Sequence, residues 1–142
     1  MNSIGAYRYF VAEKRDDTLI AQLIDSHLQG DMVAEQLKQE LLQAVDAESP
    51  KMVVIDLRNV DIISTMVIST FLYANSRLGA SGIKFKLTEL SQPLRQIFRE
   101  LHLDGAILQI YESIDEALTK ETSSEADGTD RPARFDPEED DE

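Results

Sequence analysis

The pattern of apolar residues changes its period within residues 51–79. Residues 52–57 are nearly all apolar and rich in β-branched side chains, which predicts a short strand buried on both faces. A polar turn over 58–61 follows. From Val67 onward the apolar residues recur with the period of a helix. The predicted buried side of this helix consists of Val67, Ile68, Phe71, Leu72 and Leu78.

Ser64 lies where the period changes, at the position expected for a helix N-cap. Its hydroxyl can accept a hydrogen bond from a free N–H group of the first turn, and such a cap is worth about 1 kcal/mol. The same hydroxyl is also accessible to a kinase. A phosphate there adds about −1.5 to −2 charges near N–H groups that tolerate them. Both interpretations, an ordinary cap and a modification site, fit the residues.

The opposite side of the predicted helix is polar but carries two larger side chains. Its residues at helical spacing are Met66, Ser69, Thr70 and Tyr73, and we predict that all four point away from the core. An exposed methionine beside a tyrosine is typical of adaptable protein interfaces, whereas the alternative is packing against a neighbouring loop. Asn75 falls inside the predicted buried arc. Either the helix is rotated from this estimate, or the Asn75 amide binds a neighbouring backbone group.

Two strands and one helix are predicted before this region. Residues 7–11 and 18–24 are rich in β-branched, aromatic and aliphatic residues, and the charged residues 13–17 between them predict a hairpin turn. Asp31 is the predicted N-cap of a helix over about 32–47, which ends before the proline at position 50. The buried stripe of this helix is Val33, Leu37, Leu41 and Ala44.

The remaining elements alternate strand and helix. Residues 83–87 alternate apolar and basic, which predicts a strand near a sheet edge with one wet face. Ser91 and Pro93 predict the start of a helix whose apolar stripe is Leu94, Ile97, Phe98 and Leu101. A short strand over 107–110 and a helix from the capping box at 113–116 follow. The series implies an α/β domain with parallel βαβ units and right-handed crossovers.

Charge divides the chain into two parts. Residues 121–142 contain ten of the 27 acidic residues and two of the 14 basic ones, which predicts an acidic, disordered tail after a domain at 1–120. A solubilising spacer is the favoured role of this tail, and an acidic interaction arm is the alternative. The domain has no basic stripe, which argues against nucleic-acid binding. No apolar run approaches the roughly 18 residues of a membrane helix, so we predict a soluble cytoplasmic protein.

Patterns typical of enzymes are absent from the sequence. There is no phosphate-binding glycine loop and no H-E-x-x-H, the chain lacks cysteine, and its two histidines are 75 positions apart. The residues that flank Ser64 do not form the glycine pattern of a nucleophile elbow. We therefore predict a protein without catalytic residues, metal or cofactor.

The ordered set of segments resembles a STAS domain, the family of bacterial anti-sigma factor antagonists. The resemblance covers about residues 7–119, and the segments that carry it are Val-Val-Ile-Asp-Leu-Arg-Asn-Val from Val53, Ile62-Ile-Ser-Thr65, Gly82-Ile-Lys-Phe-Lys-Leu87, Leu94-Arg-Gln-Ile-Phe98 and Tyr111-Glu-Ser-Ile-Asp-Glu-Ala-Leu118. It implies a single STAS-like α/β domain. Its sheet would be mixed and mostly parallel, with about five strands and about four helices. The first strand would flank a largely parallel core.

The resemblance also implies a function. Family members bind an anti-sigma factor that is also a serine/threonine kinase and thereby release a sigma factor. The kinase then phosphorylates a serine at the start of the central helix, which aligns with Ser64, with Thr65 as the alternative. The implied protein would be a monomer or a weak homodimer. The implied contact surface is the loop from Asn59 to Ile63 and the helix start from Thr65 to Ser69. Together with the outward face of the helix, this gives the predicted partner-binding residues Asn59, Asp61, Ile62, Ile63, Thr65, Met66, Ser69, Thr70 and Tyr73.

Two positions next to Ser64 depart from the family pattern. The family usually has an acidic residue before the serine and a glycine two positions after it, whereas this chain has Ile63 and Met66. The lost carboxylate removes a charge that would help to position the loop or contact a kinase. Two hypotheses therefore remain open: an antagonist released by phosphorylation, or a constitutive STAS interaction module that phosphorylation does not switch.

Overall fold

The computed structural model describes residues 2–4, 7–105 and 107–119, so the predicted acidic tail over 121–142 lies outside the described residues. Eight strands and four helices occur in the described part. The strands are β1 (Asn2–Ile4), β2 (Phe10–Arg15), β3 (Thr18–Leu23), β4 (His27–Leu28), β5 (Met52–Asp56), β6 (Ile62–Ile63), β7 (Lys84–Thr88) and β8 (Gln109–Tyr111). The helices are α1 (Asp31–Glu48), α2 (Thr65–Ala80), α3 (Gln92–Glu100) and α4 (Ile114–Thr119).

The main sheet has the strand order β1-β2-β3-β5-β7-β8. The pairs β1–β2 and β2–β3 are antiparallel, and the other three pairs are parallel. The predicted α/β class, with a mixed, mostly parallel sheet and four helices, is confirmed. The described sheet has one strand more than the five expected. That strand is β1, whose three residues are too few to show a period.

Every residue of the central strand β5 is buried, as its composition predicts. Val53 and Ile55 face the larger core, which contains buried residues of α1, α2 and α3. Met52 and Val54 face a smaller core on the other side of the sheet, where Ala117 of α4 packs. The successive side chains of a strand point to opposite faces, so one strand anchors both layers.

The boundaries of the first elements differ from the prediction. Strand β2 continues through the charged residues to Arg15, and the turn begins at Asp16, whose φ is 53°. Charged side chains fit there because Glu13 and Arg15 form an ion pair of 2.8 Å. The predicted Asp31 cap is wrong. Gly30 is the N-cap, at φ 98°, and Asp31 is the first helical residue with no side-chain cap hydrogen bond.

The prediction that one face of β7 is exposed to solvent is also wrong. The strand lies between β5 and β8, and Lys86 has no solvent exposure. The Lys86 Nζ donates to the carbonyl of Ala117 at 2.7 Å and lies 4.7 Å from the ring centre of Tyr111. Helix α4 covers this face, so the ammonium group is satisfied by a helix carbonyl and an aromatic ring rather than by water.

The predicted start of α3 is confirmed, because the Ser91 hydroxyl accepts from the Leu94 N–H and Pro93 lies in the first turn. Leu101, predicted within the apolar stripe, is instead the C-cap residue and is exposed. The last strand lies at Gln109–Tyr111 rather than at 107–110. The predicted capping box at the start of α4 is confirmed in part, since the Ser113 hydroxyl accepts from the Glu116 N–H at 3.1 Å.

Candidate functional site

The candidate site lies beyond the carboxyl ends of β3 and β5, which are adjacent parallel strands. The chain leaves β5 through residues 57–64, called here the β5–α2 loop. This loop runs beside the segment that joins β3 to α1. The two-residue strands β4 and β6 pair in parallel, with His27 opposite Ile62 and Leu28 opposite Ile63. Loops at this edge of an open α/β sheet are where such folds commonly bind their ligands.

Backbone hydrogen bonds hold the β5–α2 loop in place. The N–H groups of Asp61 and Ile62 donate to the carbonyl of Ser26 at 2.7 and 3.0 Å. The Ser64 N–H donates to the carbonyl of Leu28 at 2.9 Å. Because these bonds tie the start of α2 to the segment before α1, Ser64 has a fixed position relative to both helices.

The predicted role of Ser64 as a helix N-cap is confirmed. Its backbone is extended, at φ −90° and ψ 163°, and its hydroxyl accepts from the Val67 N–H at 3.4 Å. The side chain is partly exposed rather than sealed beneath its neighbours. Thr65, the alternative modification site, is the first helical residue and is exposed.

The start of α2 can accept a negative charge. The first N–H groups of a helix have no partner within the helix, and the helix dipole adds partial positive charge at this end. The first turn of α2, which the structure describes in full, contains no acidic side chain to oppose an anion. A phosphate on the Ser64 hydroxyl would therefore meet backbone donors rather than carboxylates of the same turn.

Exposed side chains surround Ser64. Ile62, Met66 and Tyr73 are between 41% and 45% exposed. We define the Ser64 surface as those predicted partner-binding residues that are exposed in the structure. They are Asn59, Asp61, Ile62, Thr65, Met66, Ser69 and Tyr73. An apolar patch with a polar rim is typical of protein interaction sites.

Two predicted contact residues are not on this surface. The prediction that Thr70 points outward is wrong, because its side chain is buried and its hydroxyl donates to the Ala34 carbonyl at 3.0 Å. Helix α1 packs against this side of α2, so fewer residues of α2 are exposed to solvent than their helical spacing predicts. Ile63 is also buried and packs within the larger core. Both residues are at most 8% exposed.

The conflict at Asn75 is resolved in favour of the second explanation. Its side-chain Nδ2 donates to the carbonyl of Ile107 at 3.1 Å. The amide therefore satisfies a backbone group of the segment before β8, while the neighbouring Ala74 is buried in the core. The predicted orientation of α2 holds for Val67, Ile68, Phe71 and Leu78, which are all buried.

Sequence reasoning missed the contribution of α1 to this region. A groove of about 240 Å³ lies between the packed helices α1 and α2. Asp31, Glu35 and Lys38 of α1 line it together with Met66, Ser69 and Tyr73 of α2. The Lys38 Nζ lies 4.8 Å from the ring centre of Tyr73. No sequence signal connects residues so far apart in the chain, since their proximity depends on how the two helices pack.

A charged cluster lies at the base of the β5–α2 loop. Asp56 is buried at the end of β5, and Arg58 Nε lies 3.1 and 2.9 Å from its two carboxylate oxygens. Arg58 Nη2 is 3.7 Å from Glu89 Oε2. The hydrogen bond to Asp56, followed by the charge of Asp56, raises the pKa of Arg58. The guanidinium group is therefore fixed as a cation beside the loop.

Other kinds of site receive no support from the described residues. Within 2–4, 7–105 and 107–119, no three histidine, aspartate or glutamate side chains lie close enough together to hold a metal ion. No helix in the same part of the chain combines the length and apolar character needed to span a membrane.

Residues 9–117 match the model of the STAS domain family. The chain belongs to the STAS domain family. The match covers most of the described residues, from β2 to α4 of the STAS domain. No curated protein matches the sequence.

Solved structures with the same fold include proteins of several named roles. A serine-to-glutamate variant of RsbS from Moorella thermoacetica is 21% identical, with a TM-score of 0.65 over 81% of this chain and 96% of that chain. The anti-sigma factor antagonist SpoIIAA in its unphosphorylated form is 16% identical, with a TM-score of 0.64 over 80% of this chain and 96% of that chain. A sulfate transporter family protein from Wolinella succinogenes is 16% identical, with a TM-score of 0.60 over 77% and 88%. These likenesses establish the fold, and the fold alone does not decide the function.

Proposed function

We propose that this STAS domain is an anti-sigma factor antagonist. It works as a binding module rather than as an enzyme, in the cytoplasm, as a monomer or weak homodimer. Its partner is an anti-sigma factor of the serine/threonine kinase type, which binds the Ser64 surface. The observation that carries the proposal is a partly exposed serine at the start of α2, bordered by the exposed side chains of Ile62 and Met66.

The position of Ser64 suits a phosphorylation switch. The kinase would transfer the γ-phosphoryl group of ATP to the Ser64 oxygen, with release of ADP and of the hydroxyl proton. The phosphate adds about −1.5 to −2 charges. The N–H groups of the first turn can accept this charge, so the domain need not refold. The partner would instead lose its contact, because a large, hydrated anion would stand between Ile62 and Met66 in the apolar part of the interface.

The lack of an acidic residue before Ser64 is compatible with the proposed phosphorylation switch. The Ile63 side chain is directed into the core, where a carboxylate would be costly to bury. The exposed carboxylate nearest in sequence is that of Asp61. A kinase that reads negative charge near Ser64 could therefore contact Asp61.

A second candidate is a constitutive STAS interaction module. The observation that favours it is Met66, which stands where the family pattern has glycine and is 45% exposed. Its side chain adds apolar contact area beside Ser64, and this area could retain the partner after phosphorylation. The two candidates share the Ser64 surface and differ only in whether a phosphate ends the complex.

The test uses the full chain with purified anti-sigma factor kinases encoded in the same genome. Each kinase is incubated with the protein and ATP, phosphate is mapped by mass spectrometry, and the phosphorylated protein is then tested for binding to the same kinase. Phosphate on Ser64 with loss of binding supports the antagonist that is switched. Phosphate on Ser64 with retained binding supports the constitutive module. Phosphate confined to another residue would contradict the switch, and failure to bind any of the kinases would contradict both candidates.

A further inference from the structure

The buried end of β5 carries a charge that the proposed function does not use. Asp56 ends the otherwise apolar strand β5, and it is only 2% exposed although it carries a carboxylate. A buried carboxylate is costly unless it is paired and hydrogen-bonded. Arg58 supplies all three of the contacts described for it: the backbone N–H donates to Oδ1 at 3.0 Å, and Nε lies within 3.1 Å of both oxygens.

The other end of the Arg58 side chain reaches towards α4. Its Nη2 is 3.7 Å from Glu89 Oε2, and the same oxygen accepts the N–H of Ile114 at 3.2 Å. Glu89 follows β7 and has φ 62°, a left-handed backbone conformation that residues other than glycine rarely adopt. Arg58 thus contacts Asp56 at the end of β5 on one side and Glu89, which accepts the first N–H of α4, on the other.

Arg58 stands at the beginning of the β5–α2 loop, before every residue of the Ser64 surface. Further along the loop, the Asn59 Nδ2 donates to the Leu23 carbonyl at 3.3 Å and the Val60 N–H donates to the Leu57 carbonyl at 3.0 Å. The bonds of Asp61 and Ser64 follow them. The backbone N–H and the Nε of Arg58 both donate to the buried carboxylate of Asp56. They therefore fix the direction in which the chain leaves β5, and this direction sets where Ile62 and Ser64 stand.

We infer that Arg58 is a positioning residue for the β5–α2 loop: its two-point contact with the buried Asp56 carboxylate and its link to Glu89 hold the Ser64 surface in its binding conformation. Arg58 acts through the loop and need not touch the partner. The inference rests on the proposed function for the role of the loop. The geometry itself can be tested on the free protein, so its failure is distinguishable from failure of the proposed function.

The test is Arg58→Lys, measured by amide hydrogen exchange of the full chain. Lysine keeps the positive charge next to Asp56, so the buried carboxylate remains compensated and the fold should persist. It cannot reproduce the planar fork of arginine, which donates in fixed directions. We expect exchange at the amides of Asp61, Ile62 and Ser64 to rise at least about tenfold, while exchange at Val54 in β5 stays within about twofold of the original.

Two further variants make the result specific. Arg95→Lys is the matched control, because Arg95 Nη2 pairs with Glu112 Oε2 at 3.4 Å outside the loop, and this variant should leave the loop amides unchanged. The double variant Asp56→Asn with Arg58→Gln removes both charges together, and it decides the question if Arg58→Lys fails to fold. Its loop amides should also exchange at least about tenfold faster. Loop protection equal to that of the original protein, or a loss shared equally by Val54, would overturn the inference.

Discussion

Ser64 and Ser91 cap α2 and α3 in nearly the same way. The hydroxyls of Ser64 and Ser91 each accept from the N–H three residues later at 3.4 Å, and both backbones are extended with ψ 163°. Both side chains are partly exposed. The surroundings differ. Ile62 and Met66 are exposed on either side of Ser64, whereas none of the large apolar side chains exposed in the described part of the chain lies within two residues of Ser91.

The comparison shows that cap geometry alone does not make a site. A serine N-cap is a common solution to the free N–H groups at a helix start, and Ser91 has no other feature that points to a partner. Ser64 combines the same cap with exposed apolar neighbours and with a loop tied to the Ser26 and Leu28 carbonyls. The proposed function therefore depends on these surroundings, and variants at matched positions around the two serines can test it.

The largest difference is expected at the second residue after each cap. Met66→Asp places a charge in the centre of the Ser64 surface, and we expect partner affinity to fall by at least about 30-fold, the cost typical of an interface hot spot. Pro93→Asp is the matched control after Ser91 and should leave affinity unchanged. An acidic residue in the first turn suits the helix dipole in both variants, so neither should unfold. Titration calorimetry with the partner kinase measures both, and equal affinities would contradict the interface.

A smaller effect is expected when the hydroxyls themselves are removed. Ser64→Ala and Ser91→Ala should each lower the free energy of unfolding by about 1 kcal/mol, because each removes one N-cap of the same geometry. Thermal or urea denaturation of the two variants measures this. If Ser64→Ala were much more destabilising than Ser91→Ala, the hydroxyl would have a structural role beyond capping, and the comparison would no longer be matched.

Local patterns in the sequence predicted the elements that surround the site. The switch from an apolar run to a helical period identified β5 and α2, and Ser64 was correctly expected at the helix start. The same reasoning placed Val67 and Phe71 in the core, where they are buried. These features depend on residues close together in the chain, which is where hydrophobic period and capping preferences carry information.

Features that depend on distant contacts were not predictable in this way. Thr70 was predicted to be exposed because it shares a helical spacing with Met66 and Tyr73, but α1 packs there and supplies the Ala34 carbonyl as a partner. Lys86 was predicted to be exposed because residues 83–87 alternate apolar and basic, but α4 covers it and supplies the Ala117 carbonyl. The pair β4–β6 has two residues in each strand, too few to show an alternation, and its hydrogen bonds are made by backbone groups. Each case depends on tertiary packing, which a single sequence does not display.

The most direct test of the account compares Ser64→Glu with Ser91→Glu in binding to the partner kinase. Both variants add a carboxylate at an N-cap, so their effects on helix stability should be similar and the difference reports on the surface alone. We expect Ser64→Glu to lose at least about tenfold in affinity, equivalent to ~1.4 kcal/mol, and Ser91→Glu to stay within about twofold. Equal affinities for the two variants and the unmodified protein would contradict a switch at Ser64.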